Sequence, residues 1–230
     1  MNQLQTTPTI NFVNTVVIGK FNPAILTSEF LSTKCHMDFG NPLREQRAPQ
    51  NLFSEIAYQA ITWFMDLQRF QVQEVGLSGL EDFNSPEYVR RYLELLPYTP
   101  INMVGINAAM SFTYQNSLDF WQKLSDLNFI MKVVSAYGAA SCEVTYGNIV
   151  SIDKTPELRS VLIAFKTYED AKIRMNISTP DQNEQIVADY NWEIGDVGNK
   201  PKRLSFLVDN RRDIIRILPR LLEAFMEGNK

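Results

Sequence analysis

Asn102-Met103-Val104-Gly105-Ile106-Asn107-Ala108-Ala109-Met110-Ser111-Phe112 alternates with period two, the spacing of an extended strand whose side chains point to opposite faces. Val104, Ile106, Ala108, Met110 and Phe112 fall on one side and form a core face. Gly105, Asn107, Ala109 and Ser111 fall on the other, and that face is unusually small. Ser117 then caps a helix that turns Leu118, Trp121, Leu124 and Leu127 inward. Four strands are expected next, at Ala140 to Tyr146, Leu158 to Lys166, Lys172 to Ser178 and Gln185 to Glu193, the last two with plain inward–outward alternation. Asn210 caps a closing amphipathic helix with Ile214, Ile215, Leu218, Leu221, Leu222 and Phe225 on its buried face, and Pro219 inside it deletes a backbone bond and should bend it. A strand, a helix, four strands and a helix specify an α+β protein, a curved antiparallel sheet backed by helices.

The first hundred residues are compatible with a shorter copy of that order. Phe12 to Ile18 is β-branched and strand-like, ending at Gly19. Asn22-Pro23 opens a helix with Ile25, Leu26 and Phe30 as its stripe. Residues 34–51 turn polar, with Gly40, Pro42 and Pro49, and read as a long excursion with room for short edge strands. Ile56 to Phe64 and Arg69 to Val75 form a hairpin around Met65-Asp66-Leu67. Ser85-Pro86-Glu87 starts a helix with Val89, Tyr92, Leu93 and Leu96 inside, stopped by Pro97. The expected organisation is thus two β-α-β4-α halves, residues 1–97 and 98–230, able to form one compact unit.

Composition narrows the classes. The 230 residues are 45% hydrophobic and 21% charged, values of an ordinary soluble globule large enough to bury a core without staples. A net charge of −4 argues against a surface built throughout for nucleic acid but allows a local basic patch. The start, Met1-Asn2-Gln3-Leu4, lacks a signal-peptide pattern, and no apolar run approaches the ~20 residues a bilayer requires, so a cytoplasmic protein is expected. Cys35 and Cys142, far apart in different elements, give no disulfide framework and no C-x-x-C metal or redox site.

The strand-helix-four strands-helix order resembles one repeat of the TATA-binding-protein-like fold. The likeness is one of topology; it implies a saddle-shaped sheet that can serve DNA, protein or small-ligand partners, and it transfers no function by itself. Separately, Arg69-Phe70-Gln71-Val72, Leu95-Leu96-Pro97-Tyr98-Thr99-Pro100 and Gly105-Ile106-Asn107 resemble blocks of uncharacterised bacterial proteins. That resemblance implies no catalytic or binding role for any residue.

Few residues offer chemistry. His36 is the sole histidine, which excludes two-histidine metal sites. Its neighbour Cys35 would point to the opposite side of an extended segment. Cys142 lies with Ala140 and Val144 on an inward face, where thiols are inert. Asp38-Phe39-Gly40 copies a kinase tripeptide without the Gly-rich loop, strand lysine or catalytic loop that give it meaning. Gly76, Gly79, Gly105, Gly138 and Gly147 never assemble into a phosphate-binding spacing, and Glu81, Asp82 and Glu87 complement a helix start. No metal or cofactor is expected. Trp63, Phe64, Phe70, Trp121, Tyr190 and Trp192 read as core, and the small face reads as self-packing. One charge feature stands out: Lys200, Lys202 and Arg203 precede the last helix, and Arg212, Arg216 and Arg220 repeat along it at four-residue spacing, interspersed with Asp209, Asp213 and Glu223. This group could meet an acidic partner or nucleic acid, or simply solvate the helix.

The expectation is a non-catalytic cytoplasmic binding or assembly protein of a bacterium or phage, as a homo-oligomer or a subunit of a larger complex. The alternatives are a nucleic-acid-binding module using the sheet or the arginine-bearing helix, and an enzyme whose site is assembled from Asp, Glu, Lys, Tyr and Arg.

Overall fold

The structure is a computed structural model that describes residues 9–80, 82–113, 117–150, 156–167, 171–179, 185–195 and 200–227. In chain order the elements are β1 (Thr9–Gly19), a 3-10 turn (Pro23–Ile25), α1 (Ser28–Thr33), β2 (Arg44–Arg47), a second 3-10 turn (Pro49–Asn51), β3 (Phe53–Ala57), β4 (Ile61–Asp66), β5 (Arg69–Glu74) and α2 (Ser85–Glu94). There follow β6 (Ile101–Thr113), α3 (Ser117–Ser125), α4 (Leu127–Ser135), β7 (Cys142–Val150), β8 (Pro156–Lys166), β9 (Lys172–Ser178), β10 (Gln185–Gly195) and α5 (Lys200–Glu227). The protein is α+β, and its ten described strands form an open antiparallel sheet in the order β2-β3-β4-β5-β1-β6-β10-β9-β8-β7. The β-α-β4-α order runs twice. Starting from β1 or from β6, each repeat places its strands in the same succession: first, fifth, fourth, third, second.

Contacts divide the chain into two compact units. One contains Phe12–Asn107 and Glu193–Ile215; the other contains Met1–Asn11, Ala108–Trp192 and Arg216–Lys230.

In the Phe12–Asn107 unit, α2 packs on β5 and the core beneath it is aromatic. The Phe70 and Tyr92 rings lie 4.7 Å apart, and Trp63 has Phe39, Phe70, Tyr88 and Tyr92 around it. Fully burying such rings is worth several kcal/mol each, on the order of the ~3–5 kcal/mol lost on truncation to Ala. Asp66 builds the β4–β5 turn, its Oδ1 accepting from the N–H groups of Gln68 and Arg69 at 2.7 Å each. Two local expectations change here. Asn22 caps only the 3-10 turn, through Ala24 N–H, while Thr27 caps α1 by accepting from Phe30 N–H at 2.9 Å. The run Ile56 to Phe64 is two strands, because Tyr58 N–H donates to the Ile61 carbonyl and folds the chain back within it. The long excursion does supply a short edge strand, β2, and its four residues are exposed.

In the Ala108–Trp192 unit, β8 lies between β7 and β9 in antiparallel register, and its inward residues are mainly aliphatic: Val161, Ile163, Ile173, Met175, Ile177 and Ile186 are fully buried. The helix expected from Ser117 is two helices. Asp126 breaks it by capping α4 through Asn128 N–H at 2.9 Å, and this leaves Leu127 exposed rather than inward. In α3, Phe120 and Leu124 are buried and Trp121 is half-buried, while the side chain of Leu118 lies outside the described residues. The closing helix also begins earlier than Asn210. That residue is interior to α5 and its Nδ2 donates to the Phe206 carbonyl at 2.9 Å. Leu204 and Leu207 extend the apolar stripe upstream, and the helix continues through Pro219. Among the described residues no helix is long and apolar enough to cross a membrane.

Candidate functional site

Neither of the two hollows described below is lined by Arg212, Arg216 or Arg220. Arg212 and Arg220 are exposed on α5 and Arg216 is half-buried, spaced by four residues as expected. Lys200, Lys202 and Arg203 lie in the first turn of α5, and their side chains fall outside the described residues. Arg220 shares its surroundings with Glu223: both act on the Tyr137 hydroxyl, which burial pushes up, with Arg220 drawing it down and Glu223 raising it further. The α5 arginine that does turn inward is Arg211, which composition and spacing did not distinguish. Its guanidinium donates to the Val208 carbonyl at 2.8 Å and favours the charged form of Glu74.

Cys35 is buried and its neighbour His36 is exposed. Burial pushes the Cys35 thiol up to about 11, which keeps it protonated and unreactive. His36 is exposed, with a positive φ of 52° at the exit of α1. Cys142 is half-buried, its Sγ 3.1 Å from Met131 Sδ. Phe39 of the kinase-like tripeptide packs against Tyr58, Trp63 and Tyr88, while Asp38 Oδ1 accepts from Gly40 N–H in a turn. Among the described residues no group of three His, Cys, Asp or Glu side chains is placed to hold a metal ion. On β6, Gly105, Ala109 and Ser111 are buried and Asn107 half-buried, with Ser111 Oγ donating to Asn11 Oδ1 at 3.1 Å; most of the small face is thus withdrawn from solvent.

What sequence reasoning missed is a second sheet face in the Phe12–Asn107 unit. The registers place Val13, Thr15 and Val17 with Phe70, Val72 and Glu74, and with Ile61, Trp63 and Met65, on the buried side that α2 covers. Their alternates, Asn14 and Val16, Gln71 and Gln73, Thr62 and Phe64, and Phe53 and Glu55, share the opposite side, where most are half-buried. Phe64, read above as core, belongs to this side and stacks on Phe53 with ring centroids 6.0 Å apart and planes 23° from parallel. Beside the pair runs a row of amides: Arg69 donates to Gln71 and Gln71 Nε2 donates to Gln73 Oε1 at 3.4 Å. Asn14 is buried, yet its side-chain oxygen has no hydrogen-bond partner among the described residues. Aromatic planes beside amide donors and acceptors give this face both apolar area and hydrogen-bonding capacity. The signal was present in the period-two alternation of β4 and β5, but it needed the extra turn at Tyr58 to be read in the right phase.

Beneath that sheet, Glu74 performs the capping that Asn84 does not. Its carboxylate accepts from the N–H groups of Asn84 at 2.8 Å and Ser85 at 2.6 Å, and Ser85 Oγ and Thr15 Oγ1 share a hydrogen bond of 2.8 Å. Burial nevertheless raises the Glu74 carboxyl above its ordinary range, against the opposing pull of those donors and Arg211. This node anchors α2 to β5 across ten residues of sequence and is structural chemistry.

Two concave surfaces lie among the described residues. A groove of about 470 Å³ in the Phe12–Asn107 unit is lined by Phe21, Ile25, Met65 and the segment Leu95 to Pro100, in which Tyr98 is 96% exposed. Gly19, next in sequence to the lining residue Lys20, passes so close to Pro100 that any side chain there would strike its carbonyl. A second hollow of about 400 Å³, in the other unit, is flanked by Lys166 and Lys172, directly opposite each other across β8 and β9. Neither brings together a nucleophile, a base and an orienting group. In comparison with known proteins, no family model matches the chain and no curated protein matches it.

Proposed function

We propose that this chain is a non-catalytic binding protein, a cytoplasmic subunit of a bacterial or phage assembly or a homo-oligomer, that meets a protein partner on the sheet face of the Phe12–Asn107 unit opposite α2. The observation that carries this reading is the Phe53–Phe64 stack on the side of the sheet away from α2, flanked by Gln71, Gln73 and Asn14. Aromatic residues are enriched at protein interface centres, where a few buried side chains supply most of the affinity. The doubled β-α-β4-α order supports the likeness to the TATA-binding-protein-like fold, whose sheet would present such a face. The test is native mass measurement of complexes recovered on the immobilised chain, wild type beside the Phe53→Ala/Phe64→Ala double variant. A protein recovered stoichiometrically by the wild type and lost by the double variant, at unchanged unfolding midpoint, supports the reading; equal recovery by both refutes it.

The exposure of Arg212 and Arg220 favours a second reading, a nucleic-acid-binding module. Salt separates the two. Phosphate contacts would make binding of DNA or RNA fall steeply with salt, and replacing Arg212, Arg216 and Arg220 by Ala would flatten that slope. With carboxylates interspersed along α5, negligible binding at physiological salt is expected for wild type and variant alike.

A further inference from the structure

Strand β7 lies at one end of the sheet order, and among the described residues it pairs with β8 alone. Its nine residues, Cys142 to Val150, include neither Lys, Arg nor Pro, and its single charge is Glu143. The register with β8 is continuous from Cys142↔Phe165 to Val150↔Pro156, and its one irregularity skips a residue of β8 rather than of β7, since Gly147 faces Ser160 and Asn148 faces Leu158. Strand β7 is therefore regular along its length. Alternate residues of such a strand turn their N–H and C=O away from β8, and no backbone group of Cys142 to Gly147 bonds to a described residue outside the β7–β8 ladder. Of the devices that normally blunt an edge strand, short length, lysine, proline and bulging of the edge itself are absent from it, and Glu143 is its one charge.

We infer that the β7 edge pairs antiparallel with β7 of a second copy of this chain, in the register centred on Thr145. Three observations favour a second copy over a foreign strand. First, the strand is complementary to itself: this register sets Val144 opposite the partner subunit's Tyr146, an aromatic–β-branched pair made twice, Thr145 opposite its own copy, and Glu143 opposite the partner subunit's Gly147, with no like charges facing. Second, the adjoining strand exposes an apolar side chain on the same face. Leu162, paired with Thr145 and 38% exposed, lies on the same face, so the two copies align Leu162, Thr145, Thr145 and Leu162 across the junction. Third, a two-fold operation generates the antiparallel direction without further requirement and continues the pattern of the β7–β8 and β8–β9 pairs. Tyr146 keeps its place on the helix side, where its hydroxyl donates to the Ser125 carbonyl. The inference goes beyond the sheet-face reading: it uses a different unit and a different surface, and the Phe53→Ala/Phe64→Ala variant leaves β7 intact, so either can fail without the other.

Thr145 is exposed, so Thr145→Lys changes the edge without touching the core. The experiment is native mass measurement of the full chain across a concentration series, with far-ultraviolet circular dichroism to confirm folding. Wild type is expected at twice the 26.4 kDa chain mass. Thr145→Lys sets two ammonium groups face to face and should weaken self-association by about tenfold or more. Thr145→Glu should do the same, and mixing the two variants should restore the doubled mass through a Lys–Glu pair across the axis. A wild type that stays at single mass at the highest concentration, a Thr145→Lys variant that still doubles, or a mixture that remains monomeric would each overturn the inference.

Discussion

Strand β2 ends the sheet on one side with Arg44, Glu45, Gln46 and Arg47, all exposed and three of them charged, whereas β7 ends it on the other with nine residues and one charge. The two strands hold the same place in their repeats. Strand β2 is further tied down by side chains, with Arg44 paired to Glu55, Arg47 to Glu45 at 3.1 Å, and Ser28 Oγ donating to Glu45. Such exposed pairs contribute little stability; their effect is to make the edge unattractive to another strand. The interiors differ in parallel. Beside β2 the core is a cluster of rings around Trp63, and beside β7 it is mostly Ile, Val and Met. One element order has thus been filled with two chemistries, and its two edge strands differ in the same way, β2 charged and β7 nearly uncharged.

The largest effects should come from the interiors. Trp63→Ala, at a fully buried ring in β4, should cost about 3–5 kcal/mol, read as a lower urea midpoint; a shift below about 1 kcal/mol would mean that the ring cluster does not hold the β2 side. Leu222→Ala, at a buried position of α5, should cost about 2–5 kcal/mol, and an unchanged midpoint would remove α5 from the core. Smaller, and more pointed, is the pH response of Glu74. Its carboxyl is raised in the native state, chiefly by burial, so the folded protein holds that proton more tightly than the unfolded chain does. The stabilisation is complete below the unfolded value and is lost as pH rises through the raised native value. Glu74→Gln cannot titrate, so the stability of wild type minus that of the variant should fall across this window and then level off. A difference independent of pH would show that the native carboxyl is not raised. The smallest effect belongs to the guarded edge: Gln46→Lys should change stability by no more than about 0.5 kcal/mol and leave the native mass as it was. A change of mass equal to that from Thr145→Lys would erase the distinction between the edges.

The α+β class and the doubled order were legible because β6, β9 and β10 alternate cleanly and the apolar stripes of α2 and α5 recur at helical spacing. The misjudged points have local causes. The turn at Tyr58-Gln59-Ala60 contains no Gly, Pro, Asn or Asp, so nothing in its letters interrupts an apolar run. Asn210 has the chemistry of a cap but spends it on the Phe206 carbonyl one turn back. Leu127 sustains the spacing of α3 although Asp126 has already started a new helix. Surface roles were harder still. The α5 arginines are conspicuous in sequence, yet their helix intersperses them with acids. The edge position of β7 depends on which strands become neighbours across long stretches of chain, and no local pattern encodes that.

Hydrogen exchange of the β7 and β2 amides, followed against protein concentration, tests the central claim most directly. Protection of the outward amides between Glu143 and Gly147 should rise as the chain is concentrated and vanish in Thr145→Lys, while the amides of Arg44 to Arg47 exchange at a constant rate throughout. Equal, concentration-independent exchange at both edges would contradict the account.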